Sequence, residues 1–277
     1  MDRTVLRREQ VGAVEIIPIV DCTLDFPVGE VWPDADPADP DIANVLDAHQ
    51  HLQLPVTCFV LRDQDTLILV DTGVGPSPYS GFPFPPGSLF AGLEAISIRP
   101  DDIDMVVLTH LHPDHVGWNC DDSGRTTFPN ARYIITRIEW EHWSPFAWRT
   151  GALRRVGEVL ERRVDPLERS GQLHLVAADQ ELSPSTRLVP LPGHTPGHTG
   201  ISVCSQRQHA LLIGDAMHHP IQCGHPEWNH RFDADIATAT RTRRSITDQS
   251  ATLLLFGSHF PTPTSRKCHA PGPGLVP

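Results

Sequence analysis

The segment Thr109-His110-Leu111-His112-Pro113-Asp114-His115 sets three imidazoles and a carboxylate almost side by side. Imidazole nitrogens and carboxylate oxygens are the donors that zinc and similar divalent ions take. His110 and His112 can reach a common ion from one loop. Asp114 and His115 fall on the next turn, where they can serve a second ion or support the first. A solvated polar loop is the bland alternative for such a string, but one loop cannot close two coordination spheres, so the metal reading demands donors from elsewhere. Three places offer them, each after an apolar run: His194 in Leu191-Pro192-Gly193-His194-Thr195-Pro196-Gly197-His198, Asp215 in Ile213-Gly214-Asp215, and His259 in Phe256-Gly257-Ser258-His259.

The elements that must position these groups show in the apolar pattern. Strand-like runs rich in β-branched residues recur at 14–20, 55–61, 66–70, 103–108, 131–136, 173–177, 187–191, 200–204, 210–213 and 251–256. So many strands fit two packed sheets more easily than one. Arg62-Asp63-Gln64-Asp65 reads as hairpin punctuation. Helical periodicity is clearest over 88–98, over 139–163 with a break near Ser144-Pro145, and over 235–249. Few helices outside two sheets predict an α/β sandwich rather than a doubly wound array. The acidic, proline-rich stretch 32–41 and the stretch Gly75–Gly87 read as long loops, and the region Gly75–Phe90 is a candidate wall for an apolar pocket. Residues 1–264 are expected to form a single domain, and 265–277, rich in proline and glycine, a disordered tail.

Composition narrows the chemistry. With 34 acidic against 22 basic residues the net charge is −12, and the longest basic block is Arg241-Thr242-Arg243-Arg244, which argues against nucleic acid as a partner. No apolar leader or membrane-length run occurs, so a cytoplasmic chain without a membrane partner is expected. The six cysteines form no C-x-x-C pair, and free thiols are expected.

Taken in order, Asp71-Thr72-Gly73, the Thr-His-x-His-x-Asp-His loop, the Pro-Gly-His-Thr-Pro-Gly-His segment, Gly214-Asp215 and Gly257-Ser258-His259 resemble the metallo-β-lactamase superfamily of hydrolases, over most of the chain. The resemblance implies an αββα four-layer sandwich with a dinuclear metal centre at one edge, most often two Zn²⁺, with Mn, Fe or Co as alternatives. It assigns His110, His112 and His194 to one ion, Asp114, His115 and His259 to the other, and Asp215 as the bridge. His198 is left out of the ligand set. Two such ions produce a bridging hydroxide at neutral pH and polarise a carbonyl or phosphoryl oxygen. Asp114 is then the candidate catalytic residue for handling the proton. Asp71 is a candidate to orient a ligand histidine or a plain turn residue. His218 stands three after Asp215, where lactonases of the acyl-homoserine type often carry tyrosine, and is a candidate to touch substrate.

Residues also thin the branches. A dizinc lactamase would carry cysteine at the position of Asp215, and a flavodiiron enzyme glutamate at that of His112. Gly257-Ser258-His259-Phe260-Pro261 and His218-His219-Pro220 look most like the lactonase and organophosphate-hydrolase-like branch. The expectation is hydrolysis of a small ester or lactone, with a glyoxalase-II-like thioesterase, a phosphotriester hydrolase, and a metal-binding scaffold without turnover as the alternatives. Tryptophans 118, 140, 143 and 148 could wall an apolar pocket, with 140 and 143 favoured as core. A homodimer is compatible with all of these.

Overall fold

The computed structural model describes residues 7–36, 38–76, 82, 84–144, 154–249 and 253–261. Seven strands form the first sheet in chain order: β1 (Glu9–Val11), β2 (Val14–Pro27), β3 (His51–Asp63), β4 (Thr66–Val70), β5 (Met105–Val107), β6 (Arg132–Thr136) and β7 (Leu173–Val176). The second sheet holds β8 (Glu181–Ser183), β9 (Thr186–Pro190), β10 (Thr199–Ser205), β11 (Gln208–Gly214) and β12 (Leu254–Gly257), ordered β12-β11-β10-β9-β8. The helices are α1 (Val28–Val31), α2 (Pro40–Ala43), α3 (Leu89–Ala95), α4 (Pro113–Val116), α5 (Arg137–Trp143), α6 (Arg154–Arg163), α7 (Asp165–Ser170) and α8 (Ile236–Gln249).

Side chains alternate across each strand, and that period of two sorts the apolar residues into layers. Ile16, Phe59, Ile68, Val70, Met105 and Val107 face Leu188, Ile201, Val203, Ala210, Leu212 and Phe256 between the sheets. Their neighbours Ile17, Val60, Leu69 and Val106 point the other way, onto Leu89 and Leu93 of α3, Val159 and Leu160 of α6 and Leu167 of α7. Leu211, Ile213 and Leu255 on the outer face of the second sheet meet Ile246 of α8. The result is four layers, helix on sheet on sheet on helix, the expected αββα sandwich. Because both faces of each sheet are covered, the central strands read as nearly continuous apolar runs.

Topology explains where chemistry can gather. β4, β5 and β6 run parallel, as do β11 and β12. Parallel strands discharge their following loops at one edge of a sheet, where α/β proteins place their sites. The Asp71, Thr109–His115, Asp215 and His259 segments are such loops.

Several expectations change in detail. The run at 14–20 is the first half of β2 and that at 55–61 the middle of β3, a long antiparallel ladder whose far end carries its own small core of Trp32, Ile42, Leu52, Leu54 and Trp228. Strands β1 and β8, three residues each, were too short to leave a pattern. The stretch 32–41 is not loop throughout, since α2 begins at Pro40 with the Asp39 carboxylate capping the Asp41 N–H at 2.9 Å. The helical pattern of 139–163 includes α5, which ends at Trp143 beside the expected break near Ser144-Pro145, and α6, with 145–153 outside the described residues. Cys22, Cys58, Cys120 and Cys204 are free, but Cys223 is disulfide-bonded, contrary to expectation; scattered spacing does not reveal which thiols pair. Trp148, Tyr79, Cys268 and the 265–277 tail lie outside the described residues. Among the described residues, no helix is long and apolar enough to cross a membrane.

Candidate metal centre

Donors from both sheets meet at this edge as two adjoining pockets. One ligand atom each from His110, His112 and His194 lie within 4.8 Å of one another, as do those of Asp114, His115 and His259. In the first pocket His112 Nδ1 is 2.9 Å from His194 Nε2. In the second, Asp114 Oδ2 is 3.7 Å from His115 Nε2 and 3.5 Å from His259 Nε2. Asp215 stands between them: Oδ2 is 3.8 Å from His110 Nε2, 3.5 Å from His194 Nε2 and 3.2 Å from His259 Nε2, and Oδ1 is 3.3 Å from His115 Nε2.

These residues fit a metal pair. Nε2 of His110, Nε2 of His115 and Oδ1 of Asp215 are buried with no hydrogen-bond partner, a costly arrangement unless something else occupies their lone pairs. Neutral imidazoles with carboxylates form a donor set that zinc accepts.

The far ring nitrogens are tied down, which aims the near ones. His115 Nδ1 donates to Asp71 Oδ2 at 2.8 Å, and His259 Nδ1 to the Pro55 carbonyl at 2.8 Å. His194 Nδ1 donates to Asp233 Oδ1 at 3.0 Å. Such partners orient the ring and raise the basicity of the donor nitrogen. Asp71 is able to turn back because it takes a left-handed φ of 58° at the end of β4, a conformation that aspartate tolerates. It also accepts from the Thr109 N–H and hydroxyl, both at 2.8 Å, so it is a turn residue and a histidine partner at once. His198 is different. Its Nδ1 donates to the Leu191 carbonyl and its Nε2 accepts from the Asp215 N–H, both at 3.0 Å, so neither nitrogen is left to face an ion.

Electrostatics follow burial and crowding. Burial alone would raise the Asp215 carboxyl, but the imidazoles of His259, His115 and His218 hold it well below the usual carboxylate range. Burial pushes His110 and His112 well down, reinforced by neighbouring histidines, which favours the neutral form a ligand needs. Burial likewise opposes the charged forms of His115 and His259, yet the nearby carboxylates, Asp215 first, bring both above the usual histidine value.

His218 lies against the bridge position, its Nε2 3.3 Å from Asp215 Oδ2. Its ring is stacked on His230 at 3.8 Å and parallel to His259 at 5.4 Å, and burial depresses it to about 4. Both of its nitrogens lack hydrogen-bond partners. Trp143 is buried and edge-on to the His112 ring at 5.6 Å, so it is core and site wall together. Trp118 and Trp140 pack against the outer helical core.

Three neighbours carry no mark in the sequence. Asp233 and His230 sit in an irregular segment before α8. Glu139 sits in the first turn of α5, where it reads as an ordinary helix-start acid. A buried carboxylate among many surface ones has no sequence signature.

The model of the metallo-beta-lactamase superfamily matches residues 52–259. An N-acyl homoserine lactonase of Bacillus thuringiensis is 27% identical over 229 residues, covering 74% of this chain and 82% of the relative. Two solved structures are similar in fold. AidC, a dizinc quorum-quenching lactonase in complex with a product, superposes with a TM-score of 0.80 at 24% identity, covering 98% of this chain and 97% of that one. The hydrolase AbOPH superposes with a TM-score of 0.83 at 23% identity, covering 95% and 92%.

Proposed function

We propose, from the premise that the chain belongs to the metallo-beta-lactamase superfamily, that it is a metal-dependent hydrolase of small esters or lactones. The observation that carries this reading is the pair of three-donor pockets joined through Asp215. The lactonase name of the Bacillus thuringiensis relative points the substrate toward lactones. Residues 1–264 are read as one catalytic unit.

His110, His112 and His194 would hold one ion, Asp114, His115 and His259 the other, and Asp215 both. Zinc suits these donors best, with Mn, Fe or Co able to replace it. When bound, such a pair lowers the pKa of a shared water toward neutrality and polarises the oxygen of an ester carbonyl. The remaining work belongs to the chain. Asp114 would receive a proton and pass it to the leaving oxygen, a role supported by its side chain being 14% exposed against 4% for Asp215. His218 would donate to the substrate carbonyl oxygen, a role supported by its unpartnered ring nitrogens and its stacking on His230.

The test is metal content together with a turnover panel of lactones, aryl esters, phosphotriesters and thioesters. Two equivalents of zinc and chelator-sensitive cleavage of lactones or aryl esters are expected. A metal-free, inactive chain, or clear preference for a thioester, overturns the reading.

A further inference from the structure

The loops bearing His110, His112 and His194 belong to different sheets and are far apart in sequence, yet a three-donor pocket needs them in register to within tenths of an ångström. The start of β10 meets the first loop once, the Thr199 N–H donating to the Thr109 carbonyl at 3.0 Å, but the group that grips both loops beside their histidines is in neither. It lies on α5, which Thr136 caps by accepting the Glu139 N–H at 3.3 Å.

The Glu139 side chain is buried and each oxygen serves one loop. Oε1 accepts the N–H of Leu111, the residue between the two loop histidines, at 3.0 Å, and the Trp143 indole N–H at 2.7 Å. Oε2 accepts the hydroxyl of Thr195, directly after His194, at 2.6 Å, and the Gly197 N–H at 3.2 Å. The Thr136 hydroxyl donates to the Gly197 carbonyl at 2.8 Å, so the same turn of α5 grips the second loop twice. Gly197 is required there, because a Cβ at that position would run into the Glu139 backbone.

Burying a carboxylate is costly. Here four donors and no acceptor offset part of that cost, burial still holding the carboxyl above its usual range, whereas packing alone would be met by an apolar side chain. We infer that Glu139 is a positioning residue: one carboxylate clamps the His110–His112 loop to the His194 loop and thereby sets the three-histidine half of the metal centre. The inference rests on the reading of those histidines as ligands.

Cobalt(II) titration of the full chain, with d–d spectra and chelator competition, tests it. His112→Ala identifies which binding step belongs to the three-histidine half. Thr195→Val removes the hydroxyl while keeping the shape, and Thr195→Ser keeps the hydroxyl. Thr195→Val should weaken the identified step about 10-fold or more and shift its cobalt spectrum, leaving the other step unchanged, and Thr195→Ser should restore it. Glu139→Gln, whose amide NH2 would confront the Gly197 N–H in one orientation and the Leu111 and Trp143 N–H groups in the other, should do the same and covers the case in which Thr195→Val does not fold. Wild-type affinities in both Thr195→Val and Glu139→Gln, or equal weakening of both steps, sinks the clamp alone. A wild-type chain that binds no cobalt sinks the metal centre and the clamp with it.

Discussion

Asp233 holds His194 through one oxygen, Oδ1 lying 3.0 Å from His194 Nδ1, and is itself held through the other. Its Oδ2 accepts the His230 N–H and the Arg243 guanidinium, each at 3.0 Å. Arg243, fully buried on α8, also reaches Asn229 Oδ1 and the Pro226 carbonyl. A charged network thus runs from the helix layer of the second sheet to a donor histidine, and it makes the orientation of His194 depend on how α8 is docked.

Asp233→Asn should therefore do two things. The amide can still accept from His194 or from Arg243 but not satisfy all of its partners, and the buried guanidinium loses its counter-charge. Breaking such a pair costs about 3–5 kcal/mol, which denaturant unfolding will report. Metal affinity should fall about 10- to 100-fold in a chelator competition. A variant with unchanged affinity would show that the network serves folding only.

His198→Ala separates donor histidines from structural ones. Both His198 nitrogens are spent on backbone groups, Leu191 O and Asp215 N–H. The variant should keep two equivalents of metal while losing about 1–3 kcal/mol of stability from the stranded backbone groups. Loss of one equivalent would place His198 among the ligands.

The seven residues named from their motifs meet in space because each follows a strand that ends at one edge, and an apolar run followed by His or Asp is legible in a linear sequence. The layer behind them is not. Asp233 and Glu139 act through burial, and burial of a lone carboxylate depends on which helix packs above it. Asp21 is similar: it is buried and accepts from the Val74 and Leu89 N–H groups and the Trp118 indole, yet as one of three acids in β2, with Glu15 and Asp25, it carries no mark of its own. The sandwich was legible from strand number and from helices clustered in a few places. The lengths of β2 and β3 were not, since their far halves pack on Trp32 and Trp228 rather than on the sandwich core.

Asp215→Ala tests the shared position. Its two oxygens face both pockets at 3.2 to 3.8 Å, so the variant should lose occupancy at both under elemental analysis after dialysis. Two tightly held ions in that variant would refute the bridge.

Thiol reactivity should follow burial. Burial raises Cys22, and it pushes Cys120 up to about 12, so at pH 8 the nucleophilic thiolate is scarce at either position. Cys58 is raised well above the usual thiol range by the same cause. Cys204 is exposed. Brief alkylation of the native protein followed by peptide mapping should modify Cys204 and spare Cys22, Cys58 and Cys120; modification of Cys58 at a comparable rate would contradict the packing of β3.

Metal removal should cost stability as well as activity. Without an ion, the unpartnered nitrogens of His110 and His115 and the Asp215 carboxylate remain buried at the junction of the two sheets, so the apo chain carries their desolvation uncompensated. Binding only to the folded state contributes about 2.7 kcal/mol when free metal is 100 times its dissociation constant. For a chain of 277 residues that corresponds to a melting shift of about 5 °C. Chelator-treated protein should melt lower by that margin and recover on adding zinc, with the shift growing with free zinc concentration. The dependence should weaken in Asp215→Ala, because each remaining pocket then lacks one donor. Melting that ignores both chelator and zinc would detach the cluster from metal altogether.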